Sequence, residues 1–383
     1  MGNWYVIFLI ALAESFIVSL FLTYLMGIVA LKLNVVDQPG ERKVHTAPIP
    51  LLGGVAIFLT FNIVIGVNLL LLEPAQALGF GWIETQVLPY LGDDTWRPLI
   101  GVFAGGLVIF LLGVVDDIKA LSPEVKLSGQ IVAALILVLS GIRLDLFIAP
   151  MLENLPFIEN LSQAAFKNLQ VALSASITMF WVVMMTNSMN LLDNMDGLCG
   201  GITAIAALSF FLCLLPGEQY FLCTLLMVFS GSVTGFLYHN LAPARIFMGD
   251  AGAMFCGYLL STIAVLGTFV TGPDSTHISV IAPLLALCVP IFDTLSVVWI
   301  RWRKGESIMK GDKRHFSHRL VDQGMTGRQA VEFIYLVAAI TGLGGALLVQ
   351  LNSFGTVILL LQTIGLFLLI VLLMKAKIMT KQD

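Results

Sequence analysis

The sequence predicts an all-α, polytopic integral membrane protein with about eleven transmembrane helices, and three observations carry that prediction. Only 11% of its 383 residues are charged, against about 25% in an ordinary soluble domain. Hydrophobic residues make up 58% and mean hydropathy is +0.94, which is enough for about eleven spans of roughly 20 residues. The apolar runs are continuous rather than alternating, unlike the strands of a membrane barrel. A soluble enzyme, a nucleic-acid-binding protein and a disordered chain are excluded on the same grounds.

The apolar runs are 5–31, 51–72, 98–115, 127–142, 171–189, 198–215, 219–238, 251–270, 278–300, 330–349 and 354–374. No basic residue precedes Lys32, so the first run reads as a retained membrane helix and not as a cleaved signal. The fourth is short for a full crossing. Pro290 predicts a kink in the ninth. No internal repeat is present, which disfavours a transporter built from duplicated halves. Cys199, Cys213, Cys223, Cys256 and Cys288 show no CxxC spacing and read as small core side chains. The chain is read as one transmembrane domain with polar loops near 32–50, 116–126, 190–197, 239–250 and 301–328.

Eleven spans place the termini on opposite sides. Of the 20 Lys and Arg residues, 17 fall in the odd-numbered gaps and the C-terminal tail, and three (Arg97, Arg143, Lys167) fall in the even-numbered gaps. The positive-inside rule makes the first set cytoplasmic, with the N-terminus outside and the C-terminus inside.

Four polar constellations fall on that face. Asp116 and Asp117 end the third run. Adjacent carboxylates on a helix diverge by about 100°, so one could meet a metal or phosphate and the other a substrate proton. For an isolated pair, two solvated acids is the stronger reading. Asn190, Asp193 and Asp196 are spaced i, i+3, i+6 and would line one helical face, as oxygen ligands for Mg²⁺ or a hydroxyl-rich ligand. Their plain alternative is a polar turn ended by Gly197. Phe247-Met-Gly249-Asp250 precedes the eighth run. Asp250 reads as an N-cap, and a glycine-flanked helix start also suits phosphate and Mg²⁺. Phe247 offers either core packing or a ring face for a base. The basic loop 301–328 carries His315 and His318. Its cations suit anionic lipid, and its two histidines suit phosphate oxygens. Asp293 lies some nine residues, about 13 Å, from the cytoplasmic end of the ninth helix, and an ionisable group at that depth reads as functional. Glu14 is also intramembrane, without a cluster around it. Summed, this is a kit for Mg²⁺-assisted chemistry on a diphosphate at a membrane face.

Taken in order, Gly40-Glu-Arg42-Lys43-Val-His45, Pro48-Ile-Pro50-Leu-Leu-Gly53-Gly54, Asp116-Asp117, Asn190-Leu-Leu-Asp193-Asn-Met-Asp196-Gly197, Phe247-Met-Gly249-Asp250 and the histidine loop resemble the polyprenyl-phosphate N-acetylhexosamine-1-phosphate transferases. The likeness is closer to the undecaprenyl-phosphate N-acetylglucosaminyl-1-phosphate transferases than to the phospho-MurNAc-pentapeptide translocase. It implies transfer of a sugar-1-phosphate from a UDP-sugar to undecaprenyl phosphate, with release of UMP, at the cytoplasmic face of a bacterial inner membrane. It implies Mg²⁺, or Mn²⁺ in its place, and a homodimer. On the matching positions it implies Asp250 and Asn190 as metal ligands and Asp116 or Asp117 as the residue that deprotonates or orients the lipid phosphate. It further implies Lys126 on phosphate, Phe247 against the uracil, and Asp193 and Asp196 in the nucleotide site. Lys43, His45, His315 and His318 would complete substrate binding, and Asp293, singled out by its depth in the ninth run, is placed with them. The family's His-x-His-His pattern here reads His315-Phe-Ser317-His318, and serine cannot titrate. The donor sugar is therefore open among UDP-GlcNAc, another UDP-HexNAc and UDP-MurNAc-pentapeptide.

Two rival classes fit the sequence less well. An intramembrane aromatic prenyltransferase needs a further Asp four residues after Asp196, where this chain has Gly200. A lipid or solute transporter predicts acids buried mid-span, whereas the acids of the four constellations sit at one face and Asp293 alone is added to them from greater depth.

Overall fold

A computed structural model describes residues 2–39, 47–77, 93–144, 152, 162–267, 281–307 and 314–380. The long helices are α1 (Gly2–Leu33), α2 (Gly53–Ala77), α3 (Asp93–Ile118), α4 (Pro123–Leu139), α5 (Gln163–Leu192), α6 (Leu198–Leu214), α7 (Tyr220–Asn240) and α8 (Gly249–Leu266). They are followed by α9 (Ala282–Ala286), α10 (Cys288–Lys304), α11 (Phe316–Asp322), α12 (Gly327–Leu348) and α13 (Ser353–Thr380). A short antiparallel pair, β1 (Val36–Asp37) and β2 (Ile49–Pro50), sets Val36 opposite Pro50 and Asp37 opposite Ile49. The protein is an all-α, multi-pass membrane protein. Among the described residues nine helices are long and apolar enough to cross a bilayer.

Two predicted runs differ from a simple crossing. The fourth, α4, has 17 residues. The ninth is split at Leu287 into α9 and α10. Pro290 has no N–H for the Ala286 carbonyl, and its ring crowds that carbonyl, so the break falls within the turn before it. Helix α11 lies inside the basic loop and was not anticipated. At α12, Thr326 and Gln329 make a capping box, each side chain bonding the other's backbone N–H, as the T-x-x-Q spacing allows.

Helix α8 is the centre of the bundle, buried along nearly its whole length. Its neighbours approach through glycine. A methyl group on Gly54 of α2 would run into the backbone of Gly252, one on Gly113 of α3 into the backbone of Ala251, and one on Gly257 into Met185 and Thr186 of α5. Lipid supplies little hydrophobic drive between helices, so close packing of small residues carries more of the association. Phe58 stacks on Phe110 with centroids 3.9 Å apart, and Phe58 and Phe61 both meet Phe255 edge-on. These rings fill the space left where backbones separate.

The contacts fix relative directions. Trp4 stacks on Tyr220, Ser15 and Ser19 back onto Gly231 and Gly235, and His239 bonds the Leu20 carbonyl, so α1 and α7 run parallel. Tyr258 of α8 bonds carbonyls of Gly101 and Val102 while Gly113 meets Ala251, so α3 and α8 are antiparallel. Trp181 donates to the Ser261 carbonyl, which makes α5 antiparallel to α8 as well. This is the alternation that successive crossings require. Leu9 and Phe21 of α1, and Leu361 and Leu372 of α13, remain exposed as lipid-facing surface. All five cysteines are free, four of them buried.

Candidate active site

The C-terminal ends of α3 and α5 and the N-terminal ends of α4 and α8 meet at one end of the bundle. Ser122 precedes α4, and Pro123 starts it with a φ already suited to a helix. This places Lys126 on the first turn. Its ammonium ion-pairs with Asp116 and lies 2.6 Å from Asp250 Oδ2. Asp116 Oδ1 also accepts the Leu121 N–H at 2.7 Å. Asn190, on the last turn of α5, hydrogen-bonds Asp250. Four residues singled out from sequence are thus brought to one point.

Asp117 faces the start of α8. Its carboxylate accepts the backbone N–H groups of Asp250 at 2.7 Å and Ala251 at 3.1 Å. These are free donors of the first turn of α8, and the helix dipole favours an anion there. The sequence reading made Asp250 the N-cap. Instead α8 begins at Gly249 without a side-chain cap of its own, and Asp117 supplies one from another helix. Gly249 has φ +69°, and a Cβ there would lie 2.6 Å from Asp117 Oδ2. Glycine is required on both counts. Asp117 thus holds the start of α8, and Asp116 is the carboxylate of the pair that faces the Lys126 cation.

The Asn190–Asp196 stripe is not helical throughout. Helix α5 stops at Leu192 and Asp193 is its C-cap. Asp196 Oδ2 accepts the Ala244 N–H at 2.9 Å, and the Gly197 N–H donates to Asn240 Oδ1 at 3.0 Å. Asn240 in turn donates to the Ile246 carbonyl at 2.8 Å. The turn at 193–197 is therefore fastened to the loop that carries Phe247. That loop is stitched to the start of α2. Phe247 N–H donates to Pro50 O, Gly53 N–H to Phe247 O, and Gly54 N–H to Met248 O, at 2.8, 3.0 and 2.8 Å. Asp193 is half-buried. Burial, followed by the negative charges of Asp250, Asp117 and Asp196, pushes its carboxyl up to about 8.

The histidine segment closes one side. Ser317 is buried and donates to Asn194 Oδ1 at 2.6 Å. His315 Nδ1 lies 2.8 Å from Asp293 Oδ2, and Phe316 N–H donates to Asp293 Oδ1 at 2.5 Å. Asp293 is 1% exposed, and both its oxygens face the histidine segment. His318 is half-buried. Lys43 and His45 lie outside the described residues.

Sequence reasoning missed the supports. Asn240 falls in the polar loop read near 239–250, and its part in fastening Gly197 to Ile246 was not singled out. Tyr335 of α12 donates its hydroxyl to the Gly197 carbonyl at 2.5 Å, and nothing local in the sequence signals that. Gln130 and Asn187 exchange side-chain amide hydrogen bonds between α4 and α5. A polar pair facing each other from two apolar runs was the available clue.

The donors fit a hard divalent cation. Asp116 and Asp250 already hold a positive group between them, the Lys126 ammonium. Among the described residues no three His, Cys, Asp or Glu side chains form a ready metal cluster. Mg²⁺ is commonly bound by one or two carboxylates with substrate phosphates completing the shell, and the Asp250–Asn190 pair suits that mode.

Residues 99–268 match the model of glycosyl transferase family 4. The chain is 32% identical over 344 residues to a probable undecaprenyl-phosphate N-acetylglucosaminyl 1-phosphate transferase of Bacillus subtilis, covering 89% of this chain and 86% of that protein. It is 33% identical to a decaprenyl-phosphate N-acetylglucosaminephosphotransferase of Mycobacterium leprae, over 89% of this chain and 83% of the other. It is 26% identical to an undecaprenyl-phosphate alpha-N-acetylglucosaminyl 1-phosphate transferase of Yersinia pestis, over 87% and 82%. The chain belongs to this family of polyprenyl-phosphate N-acetylglucosaminyl-1-phosphate transferases.

Proposed function

We propose that this family member transfers N-acetylglucosamine 1-phosphate from UDP-N-acetylglucosamine to a polyprenyl phosphate, undecaprenyl phosphate in the first instance. The product is a lipid-linked diphosphate sugar that starts an envelope polysaccharide, and UMP is released. The observation that carries the reading is the convergence of Asp116, Lys126, Asn190 and Asp250 on one point at the ends of four apolar helices. A nucleotide-sugar can reach that point from the aqueous side and a lipid phosphate from the bilayer.

In the simplest course an oxygen of the lipid phosphate attacks the β-phosphorus in line. A new P–O bond forms, the bond from that phosphorus to the bridging oxygen breaks, and UMP leaves with the electron pair. Asp116 orients the lipid phosphate and takes its proton. Lys126 moves from the carboxylates onto phosphate oxygens, where a fixed cation stabilises developing charge. Asp250 and Asn190 would hold Mg²⁺, which when bound neutralises the diphosphate. Asp117 keeps Asp250 in place. Phe247 offers its ring to the uracil, Asp193 and Asp196 line the nucleotide, and His315 and His318 meet the sugar-nucleotide. The face is cytoplasmic, on the inner membrane of a bacterium, and the protein acts as a homodimer. The test is purified protein in detergent with undecaprenyl phosphate, Mg²⁺ and radiolabelled UDP-N-acetylglucosamine. Labelled lipid and equimolar UMP are expected. Their absence with this donor, with UDP-N-acetylgalactosamine and with UDP-MurNAc-pentapeptide would refute the reading.

A further inference from the structure

Asp293 and His315 belong to different elements and to no part of the mechanism above beyond the placing of His315. Asp293 sits on α10, 1% exposed, and His315 precedes α11, 4% exposed. A buried carboxylate is costly unless its lone pairs are satisfied. Here one oxygen accepts the Phe316 N–H at 2.5 Å and the other faces His315 Nδ1 at 2.8 Å. Arg319, one turn further along α11, adds a positive charge that interacts with Asp293. Arg319 also donates to Ser296 Oγ at 2.5 Å and lies 5.8 Å over the Phe292 ring, both on α10. Ser296 Oγ donates to the Asp293 carbonyl at 2.9 Å. The start of α11 is thus gripped at several points by one stretch of α10, with Asp293 at the centre.

An ionised carboxylate can only accept hydrogen bonds. A neutral imidazole carries its proton on one nitrogen, and the partner of that nitrogen decides which. We propose that Asp293 is a positioning residue that fixes His315 as the Nδ1–H tautomer, so that Nε2 is the nitrogen left with an open lone pair for a hydroxyl or amide N–H of the sugar-nucleotide. This rests on the reading of His315 as a substrate-binding residue of the transferase. It extends that reading by assigning the direction of the hydrogen bond. It also explains why an acid stands in α10: the same carboxylate orders the backbone of the histidine segment and sets the ring's proton.

The substitution Asp293→Asn separates the two roles. The carboxamide oxygen can still accept from Phe316 N–H, while its NH₂ group turns to His315 Nδ1 and forces the proton onto Nε2. The experiment is ¹⁵N NMR of histidine-labelled full-length protein in nanodiscs, with the His315 signals assigned by their loss in His315→Gln. The Nδ1–H pattern is expected in the wild type and the Nε2–H pattern in Asp293→Asn. Turnover should fall by roughly 10²-fold in Asp293→Asn at unchanged thermal stability, and adding His315→Gln should cause little further loss. An Nε2–H pattern in the wild type overturns the proposal without using any variant. So does a tautomer that switches in Asp293→Asn while turnover stays at the wild-type level. Should no UDP-sugar support turnover in the wild type, the transferase reading fails, whereas the wild-type tautomer still reports on Asp293 by itself.

Discussion

Asp117 caps the helix that carries Asp250: its carboxylate, from the end of α3, accepts the Asp250 N–H at 2.7 Å and the next N–H at 3.1 Å. Two adjacent acids in the sequence therefore divide into one beside the Lys126 cation and one behind Asp250. Replacing Asp117 by Asn removes one acceptor and turns an NH₂ group toward a backbone donor. A buried donor left unpaired costs about 1–3 kcal/mol. Asp117→Asn should therefore lower the melting temperature in detergent and reduce turnover at least tenfold. Asp116→Asn should reduce turnover without a comparable loss of stability. Equal stability of Asp117→Asn and wild type would show that the cap is dispensable.

Lys126 neutralises Asp116 and Asp250 together. Its side chain is 25% exposed, so solvent screens part of the interaction and about 1–2 kcal/mol is a fair scale for its loss. Lys126→Met should destabilise the protein in EDTA and should gain more melting temperature than wild type when Mg²⁺ is added. The same variant should turn over slowly at saturating Mg²⁺. Identical Mg²⁺-induced shifts in the two proteins would rule out a shared cation position.

Asp193 gives a pH dependence with a definite sign. Its carboxyl is raised from 3.8 to about 8. Between those values the native state binds more protons than the unfolded state, so stability falls as pH rises. The metal-free wild type should thus be more stable at pH 5 than at pH 8, and Asp193→Asn should flatten that slope. A nearby divalent cation favours the ionised form, so Mg²⁺ should protect more strongly at pH 8 than at pH 6. Thermal unfolding at several pH values, with and without Mg²⁺, measures both effects.

The glycines around α8 predict a contrast. A methyl at Gly113 would meet the backbone of Ala251, whereas one at Gly66 would meet nothing within 4 Å. Gly113→Ala should cost about 1–3 kcal/mol by overpacking and shift the start of α8. Gly66→Ala should be neutral or slightly stabilising. Guanidinium-free thermal melts of both, with turnover as a second readout, separate local packing from general helix propensity.

Much of this was legible in the sequence, for reasons that differ by residue. Apolar runs announce membrane helices because the bilayer sets one length and one chemistry. The Thr326 capping box was not singled out, although both its partners lie within one turn. Asp116, Lys126, Asn190 and Asp250 were singled out from the polar clusters and the motifs they match. The split at Leu287 followed from Pro290. What stayed hidden was pairing across distance. Asp117 and Ala251 are 134 positions apart, and Asn194 and Ser317 are 123 apart. No periodicity encodes which acid faces the Lys126 ammonium and which faces a helix end. Tyr335 reads as one more aromatic in an apolar run until its hydroxyl is seen on Gly197.

The parallel seam between α1 and α7 bears on how the protein is made. Ser19 donates to the Ser232 carbonyl across 213 positions, and both serines are buried. At ordinary elongation rates of about 5–20 residues per second, α1 stands in the bilayer for roughly 10–40 s before its partner exists. During that wait the Ser232 carbonyl is not there to accept the Ser19 hydroxyl. The hydrogen bond that fastens α1 to α7 therefore cannot form until α7 has been made.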